Sequence, residues 1–164
     1  MKNALVILAG GKGKRFGQKS PKQFLEVGNS NILNIFLTNL QKDLFNYVVV
    51  AIDKKYREKV DKEIFNGSKI KLLFSEPGTT RQKSSFNALK RLKKFNIKNV
   101  LIHDAARPFC SNILIRKILN KLNNFNNAIP YIKYNDRQIS NLQKDIEAYN
   151  IQTPQGFKYK LIFN

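Results

Sequence analysis

The sequence predicts a three-layer α/β domain built on a mainly parallel sheet. Two observations carry this reading. Short apolar, β-branched runs alternate along the chain with segments whose apolar residues recur at helical spacing. The runs end at glycine, at aspartate or shortly before Pro-Gly, as parallel strands do where they turn towards helices. At 164 residues the chain fits one domain, residues 1–164, large enough for a proper core.

Residues 4–8 read as a buried strand running into Ala9, Gly10 and Gly11. Residues 32–40 carry a helical apolar stripe, and the run 47–52, ending at Asp53, is a second strand. A charged helix is expected over 56–65, a third strand over 70–74 before Pro77-Gly78, and a helix over 84–94 with Phe86, Leu89 and Leu92 on one side. Residues 99–103 form the fourth strand and precede Asp104. Residues 113–122 are amphipathic, 120–127 read as an Asn-rich loop, and 128–132 as a fifth strand pushed to an edge by Pro130.

Composition narrows the chemistry. No apolar run approaches the roughly 20 residues that span a bilayer, and residues 1–3 lead straight into a strand rather than a signal sequence, so a cytoplasmic location is expected. One cysteine, Cys110, and one histidine exclude an internal disulfide and a Cys/His zinc site. Any metal must use carboxylates, phosphates and water. The formal charge of +19 is spread over nearly every segment, and it is read as compositional bias and affinity for anionic small molecules rather than as a nucleic-acid groove.

The first candidate site is the loop after the opening strand. Glycine lets the backbone approach an anion closely, and Lys12, Lys14, Arg15 and Lys22 add positive charge, so a nucleoside triphosphate is the natural guest. The loop lacks both the dinucleotide and the P-loop spacing, and by itself it also reads as a solvated turn. Lys22 follows Pro21 on a stiff platform, where a cation can stabilise charge on a pentacoordinate phosphorus; a plain surface lysine is the alternative. Asp104 stands where α/β enzymes place metal- or substrate-binding carboxylates, or else caps a turn. Arg81 and Ser84 either cap a helix or contact base and ribose.

Taken in order, L-A-G-G-K-G-K-R-F-G, P-K-Q-F, P-G-T-T-R-Q-K-S-S, H-D-A-A-R-P-F and Q-T-P-Q-G-F resemble the 2-C-methyl-D-erythritol 4-phosphate cytidylyltransferases over residues 4–157. The resemblance implies a Rossmann-like sheet of the nucleotidyltransferase type and a reaction of CTP with methylerythritol phosphate that releases pyrophosphate in non-mevalonate isoprenoid synthesis. It implies Mg²⁺ on the triphosphate and no covalent enzyme intermediate. Arg15 and Lys22 match the family's catalytic cations. Ala9, Gly10 and Gly11 match backbone contacts to the nucleotide, and Gly78, Arg81 and Ser84 match the segment that recognises cytosine and ribose. Asp104 matches the aspartate near metal and acceptor, and Thr153 a threonine that contacts the acceptor phosphate. Ribitol-5-phosphate cytidylyltransferase is a close alternative, and a non-catalytic nucleotide-binding remnant is one of another class.

The same resemblance exposes departures. The D-T-[IL]-K opening of the family's dimer arm is replaced, so a homodimer would pair through a shortened arm near 131–147. An arginine expected eight residues before Thr153 is Asp145, with Arg137 or Lys144 as possible substitutes. The family continues through a T-D motif and an N-I-K-V-T strand whose lysine also contacts the acceptor. A truncated domain, or a piece of a longer chain also carrying the pathway's cyclodiphosphate synthase, is therefore expected.

Overall fold

The computed structural model describes residues 2–11, 20–133 and 149–163. In chain order these form β1 (Lys2–Leu8), β2 (Glu26–Val27), β3 (Ser30–Asn31), α1 (Ile32–Asn39), β4 (Tyr47–Ala51), β5 (Lys71–Ser75), α2 (Arg81–Leu92), β6 (Ile97–Asp104), α3 (Asn112–Asn124), β7 (Asn127–Ala128), β8 (Tyr131–Lys133), β9 (Tyr149–Ile151), β10 (Gln155–Lys158) and α4 (Tyr159–Phe163). Short 3-10 turns cover Lys22–Phe24, Lys42–Leu44, Lys54–Lys59 and Glu63–Phe65.

Six strands make one sheet in the order β5-β4-β1-β6-β10-β7. Strands β5, β4, β1 and β6 are parallel, while β10 runs antiparallel to both its neighbours. The parallel strands are apolar on both faces because both are covered. Leu5, Ile7, Val48, Val50 and Leu101 face α1 and α3, whereas Ala4, Val6, Val49, Ala51, Val100 and Ile102 face α2 and α4. The expected three layers and mainly parallel sheet are therefore present. No helix among the described residues is long and apolar enough to cross a membrane.

Each long helix starts at a side-chain cap. Asn31 accepts the N–H of Asn34 at 3.0 Å, Thr80 that of Lys83 at 3.1 Å, and Ser111 that of Leu114 at 3.2 Å. The cap at Thr80 starts α2 three residues before the expected Ser84.

Three expectations need correction. Residues 56–65 form two 3-10 turns rather than a charged helix. The reason lies in α1: the Asn34 carboxamide donates to the Lys59 carbonyl and accepts the Asp61 N–H, which holds Val60 extended and buried between the turns. The Asn-rich segment is not a loop throughout, since α3 continues to Asn124 with Leu119 and Leu122 still on the buried stripe. The fifth strand is divided at Pro130, with β7 joining the main sheet and β8 pairing with β9 in a separate ribbon.

Candidate active site

The chain runs outward from β1 to β4 and β5, then returns to β6 on the other side of β1. That reversal opens a crevice at the carboxyl ends of β1 and β6, the place where open α/β sheets bind ligands. Leu8 and Asp104 are register partners there, and the Ala105 N–H donates to the Leu8 carbonyl at 3.1 Å. The loop after β1 and the acidic end of β6 are thus side by side.

Ala9 is buried and donates its N–H to the Ala51 carbonyl at 2.9 Å, so the loop starts from a fixed point. Gly10 lies against the segment after β5: a Cβ on Gly10 would stand 2.2 Å from the Cβ of Pro77. Only a glycine allows this approach. Gly11 is exposed, with open space where a side chain would go. Gln23 is buried, and its carboxamide donates to the Ala9 carbonyl at 2.6 Å and the Gly11 carbonyl at 3.1 Å. These two bonds join the glycine loop to the 3-10 turn that begins with the exposed Lys22. Lys12, Lys14 and Arg15 lie outside the described residues, as do Arg137, Lys144 and Asp145.

Gly78 also sits where a side chain has no room, its Cβ position 2.4 Å from the Cβ of Lys83. The hydroxyl of Ser84 accepts the Gly78 N–H at 2.9 Å and donates to the Thr80 carbonyl at 2.9 Å. Ser84 therefore shapes the 78–80 loop from beneath. Arg81 extends from the first turn of α2 to Asp104, Nε to Oδ1 at 3.3 Å, and its Nη2 is 3.4 Å from Oε1 of Gln155.

Asp104 stands between two guanidinium groups, since Nε of Arg107 is 3.5 Å from its other oxygen. Arg107 also bonds Gln152, the residue before Thr153. Thr153 precedes a cis peptide to Pro154, and its hydroxyl lies 3.0 Å from Nδ1 of His103 and 3.5 Å from the Asp104 N–H. Nε2 of the same ring is 3.0 Å from the Arg107 carbonyl. A carbonyl only accepts, so Nε2 carries the proton and Nδ1 accepts from Thr153.

His103 is fully buried, and desolvation pushes its pKa down to about 4 against the smaller upward pull of the Arg107 carbonyl and the Asp104 charge. Burial likewise pushes the Cys110 thiol up to about 11, which keeps it protonated and a poor nucleophile.

The sheet thus gathers Ala9, Gly10, Gly11, Lys22, Gly78, Arg81, Ser84, Asp104 and Thr153 at one end. A cavity of about 600 Å³ lined by Lys2, Asn96, Ile97, Lys98, Lys158 and Lys160 lies at the opposite end of β1 and β6, away from these motifs.

A family model described as IspD: 2-C-methyl-D-erythritol 4-phosphate cytidylyltransferase matches residues 3–164. The chain belongs to this family. It is similar to the bifunctional enzyme IspD/IspF of Pelagibacter ubique, 38% identical over 99% of this chain and 45% of that one. It is also similar to the 2-C-methyl-D-erythritol 4-phosphate cytidylyltransferase of Thermotoga neapolitana, 34% identical over 98% of this chain and 74% of the relative. Among solved structures it resembles the bifunctional IspDF of Campylobacter jejuni, with a TM-score of 0.81 and 29% identity over 99% of this chain and 42% of that one. It therefore spans less than half of the bifunctional relatives and about three quarters of the single-function one.

Within the cytidylyltransferase fold, sequence reasoning missed the roles of Gln23, His103 and Arg107. The signal was in the P-K-Q-F and H-D-A-A-R-P motifs, but their side-chain partners lie 12 to 50 positions away or depend on how a turn closes.

Proposed function

We propose that this chain transfers the cytidylyl group of CTP to 2-C-methyl-D-erythritol 4-phosphate and releases pyrophosphate. The observation that carries this reading is the pairing of Leu8 with Asp104 at the sheet's reversal point, which sets the glycine loop beside Asp104 and Thr153. In the reaction, an oxygen of the acceptor phosphate attacks the α-phosphorus in line. One P–O bond forms as the bridge to the β-phosphate breaks, and pyrophosphate leaves with the electron pair. No covalent intermediate with the protein is required, so catalysis rests on alignment and on countering charge.

On this reading the main chain of Ala9, Gly10 and Gly11 approaches the triphosphate. Arg15 and Lys22 meet the charge that builds at the α-phosphate. Arg81 and the loop from Gly78, shaped by Ser84, hold cytosine and ribose, while Asp104 and Thr153 face the acceptor.

Asp104 is paired with both Arg81 and Arg107, so it would take Mg²⁺ in exchange for one of these arginines. Asp104 is a half-exposed carboxylate at the crevice, and no cluster of three metal-ligating side chains occurs among the described residues. Magnesium typically takes one or two carboxylates and completes its shell with water and substrate phosphates. Asp104 would hold the ion, which when bound would offset the negative charge of the triphosphate.

Pairing of two copies through the ribbon of β8 and β9 belongs to the same reading. Tyr131, Tyr149 and Ile151 expose apolar surface on one face of it. The chain then works on cytoplasmic metabolites as a homodimer.

A pyrophosphate-release assay with CTP, Mg²⁺ and either methylerythritol phosphate or ribitol 5-phosphate tests the proposal. Turnover with methylerythritol phosphate is expected. Turnover with ribitol phosphate alone reassigns the acceptor, and CTP binding without turnover supports a nucleotide-binding remnant.

A further inference from the structure

We propose that His103 is a positioning residue of the acceptor site, holding Thr153 and the turn from Asp104 to Arg107 in one arrangement. This rests on the assignment of Asp104 and Thr153 to the acceptor.

The argument starts from an oddity in β6. Val100, Leu101 and Ile102 are apolar and buried, and the next residue is an imidazole that is equally buried. A polar ring in that position is costly unless its nitrogens are bonded. Both are, and one tautomer satisfies both, with Nε2–H donating to the Arg107 carbonyl and Nδ1 accepting from Thr153, each at 3.0 Å. The ring is held in place by Phe36 of α1, centroid to centroid 4.5 Å. Thr153 in turn offers its oxygen to the Asp104 N–H at 3.5 Å. One side chain thus connects the two acceptor-facing segments, one at the end of β6 and the other in the turn before β10. Phenylalanine would fill the same space but leave the Thr153 hydroxyl proton without its acceptor and the Arg107 carbonyl without the ring donor.

The test compares wild type with His103→Phe, His103→Asn and His103→Gln, measuring KM for each substrate separately. His103→Phe should raise KM for methylerythritol phosphate about tenfold or more while KM for CTP stays within about twofold. His103→Asn, whose amide oxygen can accept from Thr153, should recover part of the loss. Adding Thr153→Val to His103→Phe should cost less than the sum of the two single effects, because the link is already broken in the first. Equal increases in both KM values, or fully additive effects, would overturn the proposal.

If His103→Phe does not fold, the Asn and Gln variants carry the comparison. The imidazole ¹⁵N spectrum of the wild type reads the tautomer without any turnover. Protonated Nε2 and bare Nδ1 at neutral pH are expected, and the reverse pattern overturns the assignment. Absence of pyrophosphate release by the wild type counts against the enzymatic reading, which the spectrum does not touch.

Discussion

Nδ1 of His103 lies 3.0 Å from the Thr153 hydroxyl, although 50 positions separate the two residues. The contact locks the end of β6 to the turn that starts β10 and makes this side of the crevice depend on one buried ring.

The same ring makes stability depend on pH. Burial lowers the His103 pKa from 6.5 to about 4, so between these values the unfolded chain binds a proton that the folded chain refuses. Stability therefore rises with pH through this window. The contribution is complete above about pH 6.5 and is lost progressively as pH falls towards 4, by about 3 kcal/mol in all. Denaturant titrations of wild type and His103→Gln across this range check it, because carboxylates common to both cancel in the difference. Parallel curves would contradict the burial argument.

Gln23 is the corresponding connector at the glycine loop. Gln23→Glu replaces a double donor with a carboxylate facing the carbonyls of Ala9 and Gly11. A loss of roughly 1–3 kcal/mol in stability is expected, together with a KM for CTP raised about tenfold. Thermal unfolding and initial rates measure the two effects. An unchanged KM for CTP would show that the loop does not depend on this clamp.

Gly10→Ala forces a methyl group into Pro77, where the Cβ atoms would be 2.2 Å apart. The two segments must separate, at a cost of about 1–3 kcal/mol, and CTP affinity should fall with them. Calorimetry with CTP reads the second effect. Full affinity with unaltered stability would mean that the two loops are not in contact.

The ribbon surface should govern association. Tyr131 and Tyr149 meet edge-on at 4.7 Å, and Ile151, the register partner of Tyr131, is 50% exposed on the same face. Light scattering should find dimers, and Ile151→Lys should shift them to monomers. A monomeric wild type would remove the ribbon as an interface.

The sheet was legible in the sequence because its inner strands are buried on both faces, so Val48, Val49, Val50 and their counterparts in β1 and β6 form uninterrupted apolar runs. The 3-10 turns after β4 were not. Their cause is Asn34, a residue of α1 that seizes the Lys59 carbonyl and the Asp61 N–H from a distance. β10 escaped for a similar reason. Its opening Gln155-Gly156 reads locally as a turn, yet Gly156 is there because Ile118 of α3 would lie 2.4 Å from a Cβ. In the site, residues that follow strands announced themselves: the glycine loop, Asp104 and the Pro77-Gly78 segment. Gln23 and His103 did not, since their purpose appears only once the chain has folded back on itself. Arg81 was a candidate in the sequence, but its pairing with Asp104 was not legible there.

The most direct test of cytidylyl transfer is pyrophosphate release from CTP and methylerythritol phosphate by the wild type, Lys22→Ala and Arg15→Ala. Wild-type turnover, abolished in both variants with circular dichroism unchanged, is the predicted result. Unchanged turnover in Lys22→Ala would contradict the assignment of the charge-stabilising group at the α-phosphate.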